Sequence, residues 1–227
     1  MTEQDNAHQG HRQRLKERFD EYGLDSFNDL NVLELLLYYA LPRKDTNVLA
    51  HALLERFGSL EAVLEAEAEE LSSVPGMGET AGRLLRLIPA VSRRYLLRKG
   101  TVSHAINTPE EAGEYLLPHF LYAREELVYA LFLDSRSRVI SCEELNRGVV
   151  NAAEIGVRAL VTRAMELKAS SVILAHNHPS GVALPSTEDE SVSLRLRQAL
   201  HLVGVSLSDH IIIAGSEFLS MSEVGIL

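Results

Sequence analysis

Apolar side chains in the first hundred residues recur at helical spacing. From Arg12 onward charged and apolar residues alternate, with Leu15, Phe19 and Tyr22 on one stripe, which predicts an amphipathic helix. Leu30 to Leu41 is nearly continuously apolar, and Pro42 followed by Arg43, Lys44 and Asp45 predicts where that helix ends. Thr46 is the expected cap of the next helix, which carries Val48, Leu49, Leu53, Leu54 and Phe57 and stops at Gly58. Ser59 is the expected cap of another, running to about Leu71. Residues 1–10 are polar and predicted to be disordered. The first half therefore reads as all-helical with short connections.

Inside this half lies Val74-Pro75-Gly76-Met77-Gly78-Glu79-Thr80-Ala81, ahead of a helix expected from Thr80 to about Tyr95 with a kink at Pro89. Two helices joined by a Gly-x-Gly turn form the helix-hairpin-helix pattern. Glycines allow a tight backbone and leave amides free, and amides at a helix start can hold a phosphate. Arg83, Arg86, Arg93, Arg94, Arg98 and Lys99 make the following helix basic, so Gly76, Gly78, Arg83 and Arg86 are candidate DNA contacts. Glu65, Glu67, Glu69 and Glu70 just upstream oppose this. The alternative is a turn that only packs two helices.

The pattern changes after a candidate linker at residues 99–108. Pro109 to about Tyr122 reads as a helix. Leu127–Leu133 is a short apolar run, Asp134-Ser135-Arg136-Ser137 a turn, and Val139–Leu145 the hairpin partner. Ala152–Lys168 reads as an amphipathic helix, Ser171–Ala175 as a buried strand, Ser186 to about Val203 as a helix and His210–Ala214 as a strand, with a short hairpin element at the end. Strands interleaved with helices predict an α/β layer fold.

The buried strand runs into His176-Asn177-His178-Pro179-Ser180-Gly181 and then Pro185-Ser186-Thr187-Glu188-Asp189. Side chains two apart on a strand share a face, so His176 and His178 can aim at one point. Pro179, Gly181 and Pro185 force a loop, and Asp189 opens the next helix. Two imidazoles and one carboxylate leave a tetrahedral metal with an open position, the signature of a catalytic zinc site. Ser186-x-x-Asp189 also reads as a helix capping box, a role compatible with ligation because a cap would hold the carboxylate still.

The His-x-His, seven-residue spacing, Ser-x-x-Asp pattern resembles the motif of JAMM (MPN-type) metalloproteases at every defined position. The version His-Asn-His-Pro-Ser-Gly followed by Pro-Ser-x-x-Asp resembles the RadC family of bacterial JAMM-domain proteins, which also carry an N-terminal helical region with a helix-hairpin-helix. The resemblance implies an all-helical domain over residues 1–100 and an α/β/α, cytidine-deaminase-like JAMM domain with a mixed sheet over residues 101–227. It implies one zinc per chain on His176, His178 and Asp189, Glu126 as the base ahead of the first strand, and Ser186 as a donor to the substrate oxyanion. Glu125, Glu143 and Glu144 compete with Glu126 for that role. Asp209 and His210 match a recurring feature of the family and are candidates to support the metal ligands. Gly148 and Arg158 also match, without an assigned chemistry, and Val149 stands where RadC-like sequences usually have threonine.

Function then reads as a zinc-dependent hydrolase cleaving a peptide or isopeptide bond in a peptide or protein partner, with a link to DNA repair implied by the family name. The competing reading is a DNA-associated binding protein whose metal site is structural. A nuclease or deaminase is disfavoured: the chain lacks the Cys-x-x-Cys of zinc deaminases, and two histidines with one aspartate are thin for two-metal phosphoester cleavage. Cys142 is the sole cysteine among 227 residues, which excludes a Cys-rich zinc finger and agrees with a reducing cytoplasm. The polar start predicts no signal peptide, and no apolar run reaches membrane-span length. A net charge of −10 argues against nucleic-acid binding by the whole surface but leaves room for a local basic patch.

Overall fold

The computed structural model describes residues 3–42, 44–100, 105–148 and 156–227. The chain divides into two compact units, Met1–Ser92 and Arg93–Leu227.

The first unit is helical. Helix α1 spans Glu3–Tyr22, so the stretch expected to be disordered is helical from Glu3. It is polar but proline-free and rich in residues that tolerate a helix, so poor amphipathicity there did not mean disorder. Helix α2, Asp29–Ala40, is capped by the Asn28 side chain. Helix α3, Thr46–Phe57, is capped by Asp45 and not by Thr46, which is the first helical residue and buried. Gly58 ends α3 with φ 91°, a conformation glycine adopts without strain. The single helix expected from Ser59 to Leu71 is two, α4 at Leu60–Glu65 and α5 at Ala68–Ser72. The break arises because Ala66 turns extended and Glu67 and Glu70 form a fresh capping box. Gly76 (φ 91°) then turns the chain into α6, Glu79–Gly100, which contains Pro89 and outruns its expected end at Tyr95. Leu33, Leu37, Leu53, Leu71 and Leu85 are fully buried at the centre of the core of this unit.

The second unit is a layered α/β structure. Part of the expected 99–108 linker belongs to α6, Ala105 bridges to Arg138, and residues 101–104 lie outside the described set. Helix α7, Pro109–Phe120, is capped by Thr108. Strand β1 (Leu127–Leu133) turns into β2 (Val139–Arg147), and helix α8 (Val157–Glu166) leads to β3 (Ser171–Asn177). The start expected for α8 at Ala152 lies outside the described residues, as does Val149. Helix α9 (Thr187–His201) is followed by β4 (Ser206–Ala214) and β5 (Glu217–Ser220).

The sheet order is β2-β1-β3-β4-β5, with β3 and β4 parallel and the other pairs antiparallel. Alternation sorts its side chains. Val128, Ala130, Phe132, Val172 and Leu174 pack with Leu160 of α8 and Leu196 of α9. Tyr129, Leu131, Ile173, Ile211 and Ile213 pack with Leu116 and Phe120 of α7 on the other face. The result is the expected three-layer α/β/α arrangement with a mixed sheet. No helix among the described residues is long and apolar enough to cross a membrane.

Under α7, His119 stacks on Tyr129 with ring centroids 5.0 Å apart, and its Nδ1 lies 3.9 Å from Cys142 Sγ. Burial, with Arg93 nearby, pushes the imidazole from 6.5 down to about 4, and burial pushes the thiol up to about 12. Both groups are therefore neutral at pH 7, a poor setting for a reactive thiolate. Because His119 is depressed, the unfolded chain binds the extra proton between these values, and stability falls as pH drops from about 6.5 toward 4. Replacing His119 by Phe is expected to remove up to about 3 kcal/mol of that acid loss, read as a shallower pH dependence in urea unfolding between pH 7.5 and 5. An unchanged slope would show that the imidazole is not held neutral.

Candidate metal centre

The strand geometry of β3 continues one residue past its end, because the His178 amide donates to Ile213 O at 2.7 Å. His176 and His178 therefore share the sheet face that packs against α9. The chain then reverses at once: Gly181, with φ 83°, donates to His178 O. The loop returns at Ser186, the cap of α9. The Ser186 hydroxyl accepts from the Asp189 amide, while Asp189 Oδ2 accepts from the Ser186 amide at 2.7 Å and from its hydroxyl at 2.6 Å. The expected capping box is present, and it leaves Asp189 Oδ1 facing the histidines.

Three donor atoms converge. His176 Nε2 and His178 Nε2 are 2.8 Å apart. Asp189 Oδ1 lies 3.1 Å from the first, and Oδ2 lies 3.7 Å from the second. These residues form a group able to hold a metal ion. His178 Nδ1 donates to Val182 O at 2.9 Å, which leaves the lone pair of a neutral ring on Nε2, aimed at the other two. Facing lone pairs and a carboxylate repel unless a proton or a cation sits among them, and the donor set of two imidazoles and one carboxylate suits a first-row divalent metal. Burial alone would raise the Asp189 carboxyl, but the neighbouring His176 imidazole and the hydrogen bonds from Ser186 hold it well below the usual carboxylate range.

The cluster opens into a cleft of about 730 Å³ that is also lined by Glu126, Ser186, Arg124 and Glu188. The His176 side chain is 3% exposed, Asp189 12% and His178 16%, so the donors are mostly covered and open to solvent at the cleft they line. Glu126 sits just ahead of β1, and its carbonyl accepts from the Gly148 amide. Glu125 also lines the cleft. Glu143 and Glu144 are held elsewhere: Glu143 pairs with Arg163 at 2.7 Å, and Glu144 with Arg147 at 2.9 Å and the Tyr129 hydroxyl at 3.0 Å. Those hydrogen bonds, led by the arginines, lower both carboxyls.

Sequence alone offers Asn177 no role beyond stabilising its own loop and does not single out Ser193. Asn177, between the histidines, turns to the opposite side of the strand. Its Oδ1 accepts from the Leu127 amide at 2.7 Å and its Nδ2 donates to Glu125 O at 3.1 Å, clamping the segment that carries Glu126. Ser193, one turn after Asp189, contacts His210 Nδ1 at 2.6 Å. An Asn at the odd position of a His-x-His strand and a Ser at i+4 from an acid are the signals that could have found them. His210 itself meets His176 Nδ1 at 2.8 Å, and burial holds it well below its ordinary value. Asp209 takes no part: it accepts from Ser220 Oγ and from the amides of His210 and Ser222, joining β4 to β5.

Residues 106–226 match the family model of the RadC-like JAB domain. The chain belongs to the RadC-like JAB family. Residues 46–87 match a SAM-like helix-hairpin-helix tandem. Among relatives of this RadC-family chain, a UPF0758 protein of Nitrosococcus oceani is 38% identical over 95% of this chain and 96% of its own. One of Fusobacterium nucleatum is 34% identical over the whole of both, and one of Methylibium petroleiphilum is 37% identical over 94% and 96%. That name states no activity.

At the hairpin, the two arginines among the candidate DNA contacts are already engaged by acids. Arg83 pairs with Glu79 one turn earlier, and Arg86 lies 3.6 Å from Glu67. Glu79 occupies the first turn of α6, where a negative side chain competes with a phosphate for the helix start.

The purified chain is expected to hold about one zinc, with His176→Ala/His178→Ala and Asp189→Ala each losing stoichiometric uptake. Metal analysis after gel filtration checks this, and full occupancy in the double variant would contradict the ligand set.

Proposed function

We propose that this chain is a zinc-dependent hydrolase of the JAMM metallopeptidase type, cleaving a peptide or isopeptide bond. The observation that carries the reading is one cleft holding His176, His178 and Asp189 together with Glu126. Three protein donors open to solvent at the cleft suit a catalytic centre, since structural zinc is usually closed by four. Zinc there would supply Lewis acidity, lowering the pKa of a water to about 7 and polarising a carbonyl. His176, His178 and Asp189 are assigned to hold it. Glu126 is assigned to take the proton of the attacking water and deliver it to the leaving amine.

Ser186 is assigned to the oxyanion, and on this residue the rival reading of a structural site has its best support. Its hydroxyl proton is given to Asp189 Oδ2, so a role toward substrate requires that hydroxyl to rotate. The lone Cys142, half-buried and far from reactive, fits the reducing cytoplasm proposed for the protein.

We further infer that residues 1–100 act as a targeting module for the hydrolase domain at residues 101–227, contacting DNA through Gly76, Gly78, Arg83 and Arg86. This reading is supported by the helix-hairpin-helix match and by the weakness of exposed ion pairs, typically about 0–1 kcal/mol, which lets both arginines trade a carboxylate for a phosphate. It implies the link to DNA repair.

Two experiments test these readings. Glu126→Gln is expected to keep zinc and fold while losing about 100- to 10,000-fold in hydrolysis, measured with a peptide or isopeptide substrate found by screening. Release of zinc would make the glutamate a ligand, and full activity would move the base to Glu125, which also lines the cleft. For DNA, the full chain titrated with duplex and single strands at low salt is expected to bind with a steep salt dependence. Binding that persists in Arg83→Ala/Arg86→Ala would relegate the hairpin to a structural turn.

A further inference from the structure

A buried hydroxyl and a buried imidazole stand behind the first metal ligand. Ser193 is 0% exposed, and His210 and His176 are each 2% exposed. The Ser193 hydroxyl lies 2.6 Å from the carbonyl of Asp189 and 2.6 Å from His210 Nδ1. His210 Nε2 lies 2.8 Å from His176 Nδ1. A Ser-His pair this close resembles a nucleophile with its base. Burial argues against that, and so does the direction of the bonds.

The direction follows from one atom. A backbone carbonyl only accepts, so the Ser193 proton goes to Asp189 O, the i−4 carbonyl of its own helix. Ser193 Oγ can then only accept from His210, which places a proton on His210 Nδ1. A singly protonated His210 presents its Nε2 lone pair to His176. His176 must therefore donate from Nδ1, and its own lone pair falls on Nε2, the atom 3.1 Å from Asp189 Oδ1. The bonds form a chain from Asp189 O through Ser193 and His210 to His176 that ties α9, β4 and β3 together, and the residues at its two ends are both candidate metal ligands.

We propose that Ser193 and His210 are positioning residues of the metal centre, which write the Nδ1–H tautomer onto His176 and so present its Nε2 to the metal shared with Asp189. The inference rests on the metal reading above and deepens it. Neither residue touches the ion. Metal affinity depends on them because a ring held in one tautomer and orientation binds without first rearranging. The Ser193 contribution also reaches Asp189, since its hydroxyl anchors the backbone carbonyl of that ligand.

The test has two readouts, neither of them catalytic. Long-range proton–nitrogen correlation on the ¹⁵N-histidine-labelled, metal-free full chain at pH 8.5 is expected to show His176 protonated at Nδ1. Zinc affinity by chelator competition is expected to fall about 10- to 100-fold in His210→Leu and in the same direction in Ser193→Ala. His210→Gln, whose amide can accept from His176 and donate to Ser193, is expected to recover most of it and serves as the fold-safe variant should His210→Leu unfold. A merely structural role predicts no recovery specific to glutamine. An unprotonated His176 Nδ1 in the wild type, or folded His210→Leu and Ser193→Ala chains that bind zinc as tightly as wild type, overturns the proposal. A wild-type chain that takes up no zinc overturns the metal reading instead, and the His176 spectrum then decides the relay by itself.

Discussion

The start of helix α9 is the constraint on which the centre depends. A helix leaves its first amides without partners, and here the Ser186–Asp189 box answers that need. One carboxylate oxygen of Asp189 closes the box and the other faces His176. The placement of a candidate ligand is thus set by the backbone, and the backbone is set by packing, because Val192, Leu196 and Leu200 pin α9 to the sheet face that carries His176. Ligand position, helix capping and core burial are one arrangement, and a change in any of them moves the other two.

The same economy holds along β3. A strand alternates its side chains, so His176 and His178 turn toward α9 while Asn177 turns away and grips the backbone on either side of Glu126. Three consecutive residues thereby set the spacing between the metal donors and the proposed base. Behind them every ring nitrogen of His176, His178 and His210 has a partner, and in the tautomer proposed for His176 the atoms that meet at the cleft are all electron-pair donors. Concentrating such donors is unfavourable without positive charge, which is the physical argument for an ion at this point.

Much of this was legible in the sequence, and the reasons are local. The motif residues lie within fourteen positions, so strand alternation, a proline-glycine loop and a helix cap together predict that they meet. The order of strands and helices in the second half followed from apolar runs bounded by turn residues. Where reading failed, the deciding interaction was either subtle or distant. Thr46 and Asp45 are both good caps, and only the geometry selects Asp45. The break between α4 and α5 hangs on a Glu67–Glu70 box inside a run of acids that looks like uninterrupted helix. The unit boundary after Ser92 falls within α6, where helical periodicity carries no mark of it. The relay through Ser193 and His210 joins residues 17 positions apart, and Asp209, next in sequence to His210, proves to serve β5.

The central claim is that His176, His178 and Asp189 hold a metal while Glu126 stands beside it without binding it. The most direct measurement is a crystal structure of the zinc-loaded protein with anomalous data collected on both sides of the zinc edge. The account predicts one strong peak per chain, within bonding distance of both Nε2 atoms and the Asp189 carboxylate, with Glu126 reaching a water and not the ion. A peak elsewhere, or Glu126 as a fourth protein ligand closing the site, would contradict it.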